Sequence, residues 1–469
     1  MSSRHHQFIA GVCALLCVVT MTVSTIGLSA ANAQQASPES SPASQIPDTP
    51  VGQQLTWLLG AMNGNPDEIT ADVVTQHFAP EFLQQVPAAQ LVPILKQTAM
   101  AYAPFVLTGF ASPPTDTQAS ALVQSHSGQM LSVQIAVTPD APHQIIGLLF
   151  QPAPAASGTP KAQMSWSDFD QQWSKAAAMT SFLAAEVTDQ GCQPLHALNA
   201  DQPLAIGSAF KLYVLGALAQ EVKAGNATWD QQLAIHDEWK SLPSGTFQLV
   251  PAGTNFSLQA YAQQMISISD NTATDHLIHL LGADTVAHAV TTMGSSHADM
   301  NTPFLTTRQL FALKLAAPDE LVRQYVNGNA DEREALLNGP IAKLQVDPTK
   351  VSAWTEPKEI EQLEWFASAN DLCAAMQSLH QMSQQPGLEP VAEVLSVNPG
   401  ISLDDHTWKA VQFKGGSEPG VLNLTWLLQR DDGRWFVVTG TLNDTHNTVS
   451  EVAALGLMQS AIGVIGSAP

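Results

Sequence analysis

Residues 203–218 read PLAIGSAFKLYVLGAL. After Gly207, the run Leu212–Leu218 is apolar on nearly every side, the pattern of a buried helix, predicted from Ser208 to about Val222. Ser208 and Lys211 stand three residues apart, so on a helix the amine lies beside the hydroxyl. A buried ammonium is costly and desolvation lowers its pKa, which would let Lys211 take a proton from an otherwise weak nucleophile. The helix N-terminus adds partial positive charge for a developing oxyanion. Taken alone, the same residues describe a helix cap and a lysine whose stem lies along apolar surface.

Two further stretches bear on the choice. Residues 265–282 read MISISDNTATDHLIHLLG, with Ser269-Asp270-Asn271 opening a helical run. In isolation that is a helix cap; in a site, Ser269 passes a proton to a leaving group, Asn271 orients substrate and Lys211, and Asp270 holds the loop. Lys414-Gly415-Gly416-Ser417 is predicted at the end of a strand. It reads either as a turn between strands or as an edge against which a substrate lies beside a cation.

Around these stretches the 469-residue chain is 45% hydrophobic and 13% charged, which excludes disorder and suits two or three domains. Arg4, an apolar stretch from Phe8 to about Leu28 and Ala31-Asn32-Ala33 predict a secretory signal peptide over 1–33, the rival reading being an uncleaved anchor. No later stretch is long and apolar enough to span a bilayer, so the mature protein is expected to be exported, periplasmic or extracellular, with no membrane insertion. Cleavage removes Arg4 from 18 basic residues and none of 41 acidic ones, giving 17 − 41 = −24. Such a surface argues against nucleic acid and anionic membranes as partners. Oligomeric state is not legible.

Residues 34–50 (QQASPESSPASQIPDTP) read as a flexible tether. Residues 51–152 form a small α+β domain, with helices predicted at Gln53–Met62, Ile69–Phe82 and Ala89–Ala101 and strands at Phe105–Phe110, Ala119–Ser125, Gln129–Val137 and Gln144–Phe150. A Pro/Ala/Gly linker ends at residue 160, and 161–469 is a larger domain. It has strands at Ser181–Val187 and Pro194–Asn199, a helical centre to about Leu379, strands at Lys409–Lys414, Val421–Gln429 and Trp435–Leu442, and a last helix at Thr448–Gly463. Such an order fits one mixed sheet built from both ends of the segment. Cys192 and Cys373 are either a disulfide, which export permits, or two buried thiols.

S-x-x-K, then S-D-N, then K-G-G-S, in that order on helix, loop and strand, resembles the serine β-lactamases and penicillin-binding proteins, whose set is S-x-x-K, S-D-N and K-T-G. The resemblance covers 161–469. It implies a class A β-lactamase-like α/β domain, a mixed-order antiparallel sheet plus a helical domain, with Ser208, Lys211, Ser269 and Lys414 catalytic. Asn271, Gly416 and Ser417 would bind substrate, the backbone N–H groups of Ser208 and Ser417 forming the oxyanion hole. No cofactor and no metal is implied; Asp275, His276 and His279 read as ordinary helix residues. The small domain resembles a cystatin or nuclear-transport-factor-2 shape, so the overall class is α+β. This pairing, with PSGTFQLVPAG (243–253), NTPFLTTRQLFALK (301–314) and FKGGSEPGV (413–421), looks like the two-domain β-lactamase-like group of clavulanic-acid gene clusters. That group points to ester hydrolysis on cephalosporin-like or other acyl compounds.

Three departures bear on substrate. The class A E-x-x-L-N is best matched by His297-Ala298-Asp299-Met300-Asn301, making His297 a candidate for deacylation or an idle loop histidine. Gly415 replaces the threonine of K-T-G, and no arginine is evident near Leu424 on the following strand. The expected partner is therefore a small-molecule ester or β-lactam-like substrate, with efficient penicillin hydrolysis disfavoured. The alternatives are a weak β-lactamase, a D,D-peptidase, and a binding protein that senses β-lactams or cell-wall fragments.

Overall fold

The computed structural model describes residues 45–125, 130–153, 164–401 and 403–467. The expected signal peptide and most of the tether and linker lie outside them. The described residues fall into two compact units that part between Ala153 and Pro154.

In the first unit, helices α1 (Pro50–Asn63), α2 (Ala71–His77), α3 (Pro80–Gln85) and α4 (Ala88–Tyr102) precede strands β1 (Val106–Phe110), β2 (Gln118–Gln124), β3 (Met130–Val137) and β4 (Ile145–Pro152). The four strands form an antiparallel meander in sequence order. Gln129, expected to open the third strand, lies outside the described residues. The single helix expected over Ile69–Phe82 is two. Phe78 bridges to Ile145 and the Ala79 N–H donates to the Ile145 carbonyl at 2.9 Å, so the chain is extended there before Pro80 starts α3. A local sheet contact thus overrides helical periodicity.

The second unit opens with α5 (Trp166–Trp173), then β5 (Met179–Thr188), β6 (Gly191–Leu198) and the short β7 (Leu204–Ala205). After α6 (Lys211–Lys223) come the short strands β8 (Gln232–Ala234) and β9 (Asn255–Ser257). A helical run follows: α7 (Leu258–Ser267), α8 (Asn271–Leu281), α9 (Ala283–Thr292), α10 (Thr307–Leu315), α11 (Asp319–Asn327), α12 (Ala330–Asn338) and α13 (Pro348–Ser352). Then β10 (Phe366–Ala367) pairs with β7, and α14 (Ala369–Ser383) and α15 (Pro390–Ser396) lead to β11 (Trp408–Glu418), β12 (Val421–Arg430), β13 (Trp435–Asn443) and α16 (Glu451–Ser467).

The five-stranded sheet has the order β11-β12-β13-β5-β6 and is antiparallel throughout, joining the two ends of the unit as expected. Its strands are apolar on both sides because both faces are covered. Leu183, Ala185, Leu427 and Val437 face the helical core around α6, while Phe182, Ala184, Trp426 and Val438 face the other way into a core with α5 and α16. Each large apolar side chain buried there contributes roughly 1.5–3 kcal/mol, and the alanines less. Cys192 of β6 and Cys373 of α14 form a disulfide across a separation of 181 residues, the first of the two readings left open. No helix among the described residues is long and apolar enough to cross a membrane.

Two boundaries differ near the site. Lys414–Ser417 lies at the C-terminal end of β11, as expected, but the strand runs past Lys414 to Glu418 before the chain reverses at Pro419-Gly420, where Gly420 has φ +80°. The last helix starts at Glu451, after Ser450, whose hydroxyl accepts the Ala453 N–H.

Candidate functional site

Ser208 lies on a 3-10 turn, Gly207–Phe210, and the α-helix begins only at Lys211. The tighter winding aligns residues three apart, so the Lys211 side chain stands over Ser208. Two glycines make the turn possible. Gly207 has φ +47°, and a Cβ there would lie 3.1 Å from the Ser417 nitrogen. A Cβ on Gly416 would fall 2.2 Å from the Ile206 carbonyl oxygen and 2.4 Å from the Ser208 nitrogen. Main chain therefore packs directly on main chain, bringing the Ser208 and Ser417 segments together.

Ser208 is half-buried, whereas Lys211 is fully buried. Lys211 Nζ is 3.1 Å from Ser208 Oγ, 2.9 Å from Ser269 Oγ, 2.7 Å from the Ser269 carbonyl and 2.7 Å from Asn271 Oδ1. The carbonyl and the amide oxygen only accept, so each takes an N–H from the nitrogen, while the two hydroxyls can either accept from it or donate to it. Asn271 is itself oriented by donating Nδ2–H to the Leu242 carbonyl at 3.1 Å.

Ser269 adopts φ +57°, an uncommon conformation for a serine. The Asn271 N–H to the Ser244 carbonyl and the Ser244 hydroxyl to the Ser269 carbonyl hold it there. Asp270 caps α8 and also accepts the N–H groups of Thr246 and Phe247 at 2.6 and 2.8 Å. Burial pushes its carboxyl up, against those N–H groups and Lys211, which pull it down. At Gly245, φ +105°, a Cβ would sit 2.2 Å from that carboxylate, so only glycine fits.

The K-G-G-S stretch forms the other side. Lys414 is buried and its Nζ donates to the Gly415 carbonyl. Gly415 lies opposite Leu424, Gly416 opposite Asn423 and Ser417 opposite Leu422, so β12 brings no cation here; its one basic residue, Arg430, pairs with Asp432. Glu451 opens α16. Burial pushes its carboxyl up to about 8, with the Ser417 hydroxyl pulling the other way. The next residue, Glu418, shares Lys314 with Glu364 inside the protein. Burial and Glu364 push the Glu418 carboxyl up, and Lys314 opposes them.

His297 stands before the turn Ala298–Asn301. Its Nδ1 is 2.7 Å from Asp371 Oδ2 and 3.1 Å from Ser296 Oγ. Burial raises the Asp371 carboxyl, but the Ser368 N–H, His297 and Ser296 outweigh it, leaving it below its ordinary value. Asn301 exchanges hydrogen bonds with the Phe366 backbone, which fixes the turn against β10. Asp275 accepts the N–H groups of Thr307 and Arg308 and so anchors α10. His276 accepts the His236 N–H, and His279 stacks on Trp239.

Glu451, Glu418, Glu364, Lys314 and Asp371 were not picked out by sequence reasoning. Glu418 alone carried a signal, following K-G-G-S directly. The others come from distant segments without a motif.

Residues 171–392 match the profile of a family described as the Beta-lactamase enzyme family. The match spans Ser208, Lys211, Ser269–Asn271 and His297 and stops before Lys414. Residues 46–141 match a family described as the N-terminal part of the ORF 12 gene product. No curated protein matches the chain. Among solved structures, it is similar to a β-lactamase from Sphaerobacter thermophilus DSM 20745, at 18% identity and a TM-score of 0.46, over 65% of this chain and 100% of that one. It is also similar to one from Chitinophaga pinensis DSM 2588, at 15% identity and a TM-score of 0.45, over 64% and 98%. PBP-A aligns at 15% identity and a TM-score of 0.44, over 66% and 100%. The family match thus makes residues 171–392 a serine β-lactamase-like segment, with an additional N-terminal region before it.

Proposed function

We propose that this chain is an exported serine hydrolase that forms an acyl-enzyme on Ser208, acting on esters in preference to penicillins. The observation that carries the reading is the position of Lys211 Nζ, 3.1 Å from Ser208 Oγ and held from behind by Ser269 and Asn271. As an amine, Lys211 takes the Ser208 proton while Oγ attacks the carbonyl carbon. The oxyanion is received by the N–H groups of Ser208 and Ser417. Collapse breaks the bond to the leaving group, which takes a proton from the Ser269 hydroxyl, with Lys414 at the strand beside it. Lys211 returns its proton to Ser269. Water then attacks the acyl-enzyme and releases the acid. His297 is the proposed base for that second step, its Nδ1 committed to Asp371 so that Nε2 must meet the water.

Gly415 and Leu424 support the preference for esters, since neither offers a hydroxyl or cation to a β-lactam carboxylate. The pairing of a region matching the ORF 12 gene product N-terminal family with a β-lactamase-like domain accords with the resemblance to the clavulanic-acid-cluster group.

Intact-mass spectrometry with a fluorophosphonate, a cephalosporin and a p-nitrophenyl ester tests the reading. An adduct on Ser208, lost in Ser208→Ala and short-lived with the ester, is the expected result. A long-lived cephalosporin adduct without ester turnover would favour a sensor, and no adduct with any reagent would sink the nucleophile assignment.

A further inference from the structure

Lys314 is an ammonium enclosed by the protein, and its two partners lie on segments that hold the Ser208 turn. It is fully buried near the end of α10, 2.5 Å from Glu364 Oε1 and in contact with Glu418 Oε1, and neither carboxyl is more than 5% exposed. Burial pulls the Lys314 ammonium down, but the two carboxyls outweigh it, so the charge is kept.

Each partner leads to the turn. On β11, Glu418 is two residues beyond Gly416 and shares its face, the one on which a Cβ at 416 would strike the Ile206 carbonyl and the Ser208 nitrogen. Between them is Ser417, whose nitrogen would be 3.1 Å from a Cβ on Gly207. Glu364 precedes Trp365, and its second oxygen accepts the Trp365 N–H at 3.3 Å. The Trp365 carbonyl accepts the Ile206 N–H at 3.0 Å, and the Trp365 ring stacks on Phe210 with centroids 3.7 Å apart. One ammonium thus ties together the two segments that grip residues 206–210.

The helix carrying that ammonium is anchored at its other end. Asp275 of α8 accepts the Thr307 and Arg308 N–H groups at 2.7 and 2.9 Å, and the Thr307 hydroxyl is 2.7 Å from Ser241 Oγ. Helix α8 begins with Asn271, whose side chain accepts from Lys211. From Thr307 to Lys314, α10 spans about 10 Å, reaching from the S-D-N helix to the end of β11.

We propose that Lys314 is a positioning residue, holding Glu418 and Glu364 so that the Ser208 and Ser417 N–H groups converge on the oxyanion of the reacting ester. It rests on the nucleophile reading above, which makes those two N–H groups the oxyanion donors. An ammonium between two buried carboxyls resists displacement, because moving it uncovers unpaired charge. Such rigidity matters here, since a shift of about 1 Å in a catalytic group costs up to ~100-fold in rate.

The test compares an ester with its sulfur analogue, p-nitrophenyl acetate and p-nitrophenyl thionoacetate, in the full-length native protein, Lys314→Met and Glu418→Gln. Sulfur accepts hydrogen bonds poorly, so the oxo-to-thiono ratio of kcat/KM reads the oxyanion donors, whereas a smaller folded fraction lowers both rates alike. In Lys314→Met the ratio is expected to fall about tenfold, with acylation by the oxo ester about 30-fold slower. Glu418→Gln, which keeps the shape of the side chain, should lower the ratio about threefold. An unmoved ratio in Lys314→Met, or in Glu418→Gln where Lys314→Met does not fold, overturns the proposal whatever happens to the rates. Fluorophosphonate labelling is run on the same samples. Native labelling of Ser208 with an unmoved ratio counts against Lys314 alone, whereas no labelling of the native chain means that the nucleophile assignment has failed and this inference with it.

Discussion

The two sides of the site are both buried and polar, yet they are built on opposite principles. On the side of α8, Lys211 faces oxygens from Ser208, Ser269 and Asn271, and Asp270 receives three backbone N–H groups. Short segments supply everything, and the charges are closely satisfied. On the side of β11, Lys414, Ser417, Glu418, Glu451, Lys314 and Glu364 come from β11, α16, α10 and the loop before β10, with carboxyls in excess. The first side surrounds one lysine nitrogen with oxygens; the second gathers its carboxyls from three distant segments.

The largest expected effect breaks the first side outright. Ser208→Ala should abolish covalent labelling and lower ester turnover by roughly 10,000-fold or more. Burst kinetics with a p-nitrophenyl ester check this, and unchanged turnover would remove the mechanism. Next, Lys211→Ala should slow acylation on the order of 1,000-fold, read by stopped-flow, while Ser208 is still labelled on long exposure. Loss on both sides together comes from Gly416→Ala, whose methyl would meet the Ile206 carbonyl and the Ser208 nitrogen. Destabilisation of about 3 kcal/mol, or a rearranged turn without activity, is expected from denaturant melts run beside activity assays.

The smallest effect sharpens the second side. An exposed glutamate titrates near pH ~4.3, but Glu451 in the folded chain titrates at about 8, so between those values the folded state binds the extra proton. The stability that this proton contributes is complete at acid pH and is lost as pH rises through 8. Glu451→Gln should therefore melt at a higher temperature relative to the native chain at pH 9 than at pH 5. A difference that does not change with pH would place Glu451 in water.

What was legible in the sequence follows the same division. The S-x-x-K and S-D-N stretches carry their geometry in local spacing, and the apolar run after Lys211 announced its own burial. The sheet built from both ends was readable because its strands are continuous and apolar. The break at Phe78–Ala79 was not, since it depends on Ile145, far along the chain. Nor was the reach of β11 past Lys414 to Glu418: two adjacent glycines read equally as a turn or as a strand edge until the Ser208 turn is seen pressed against Gly416. Cys192 with Cys373, and Lys314 with Glu364 and Glu418, are likewise contacts across long separations, which no local pattern encodes.

The close approach of Gly416 to the Ser208 turn has a consequence for the order in which the protein is made. A nascent chain that has emerged only as far as Asp405 already contains Ser208, Lys211, Ser269 and Asn271, but not the strand that brings Ser417. On the mechanism proposed above, Ser208 in a chain whose last three strands and α16 have not yet docked would have one oxyanion donor in place of two.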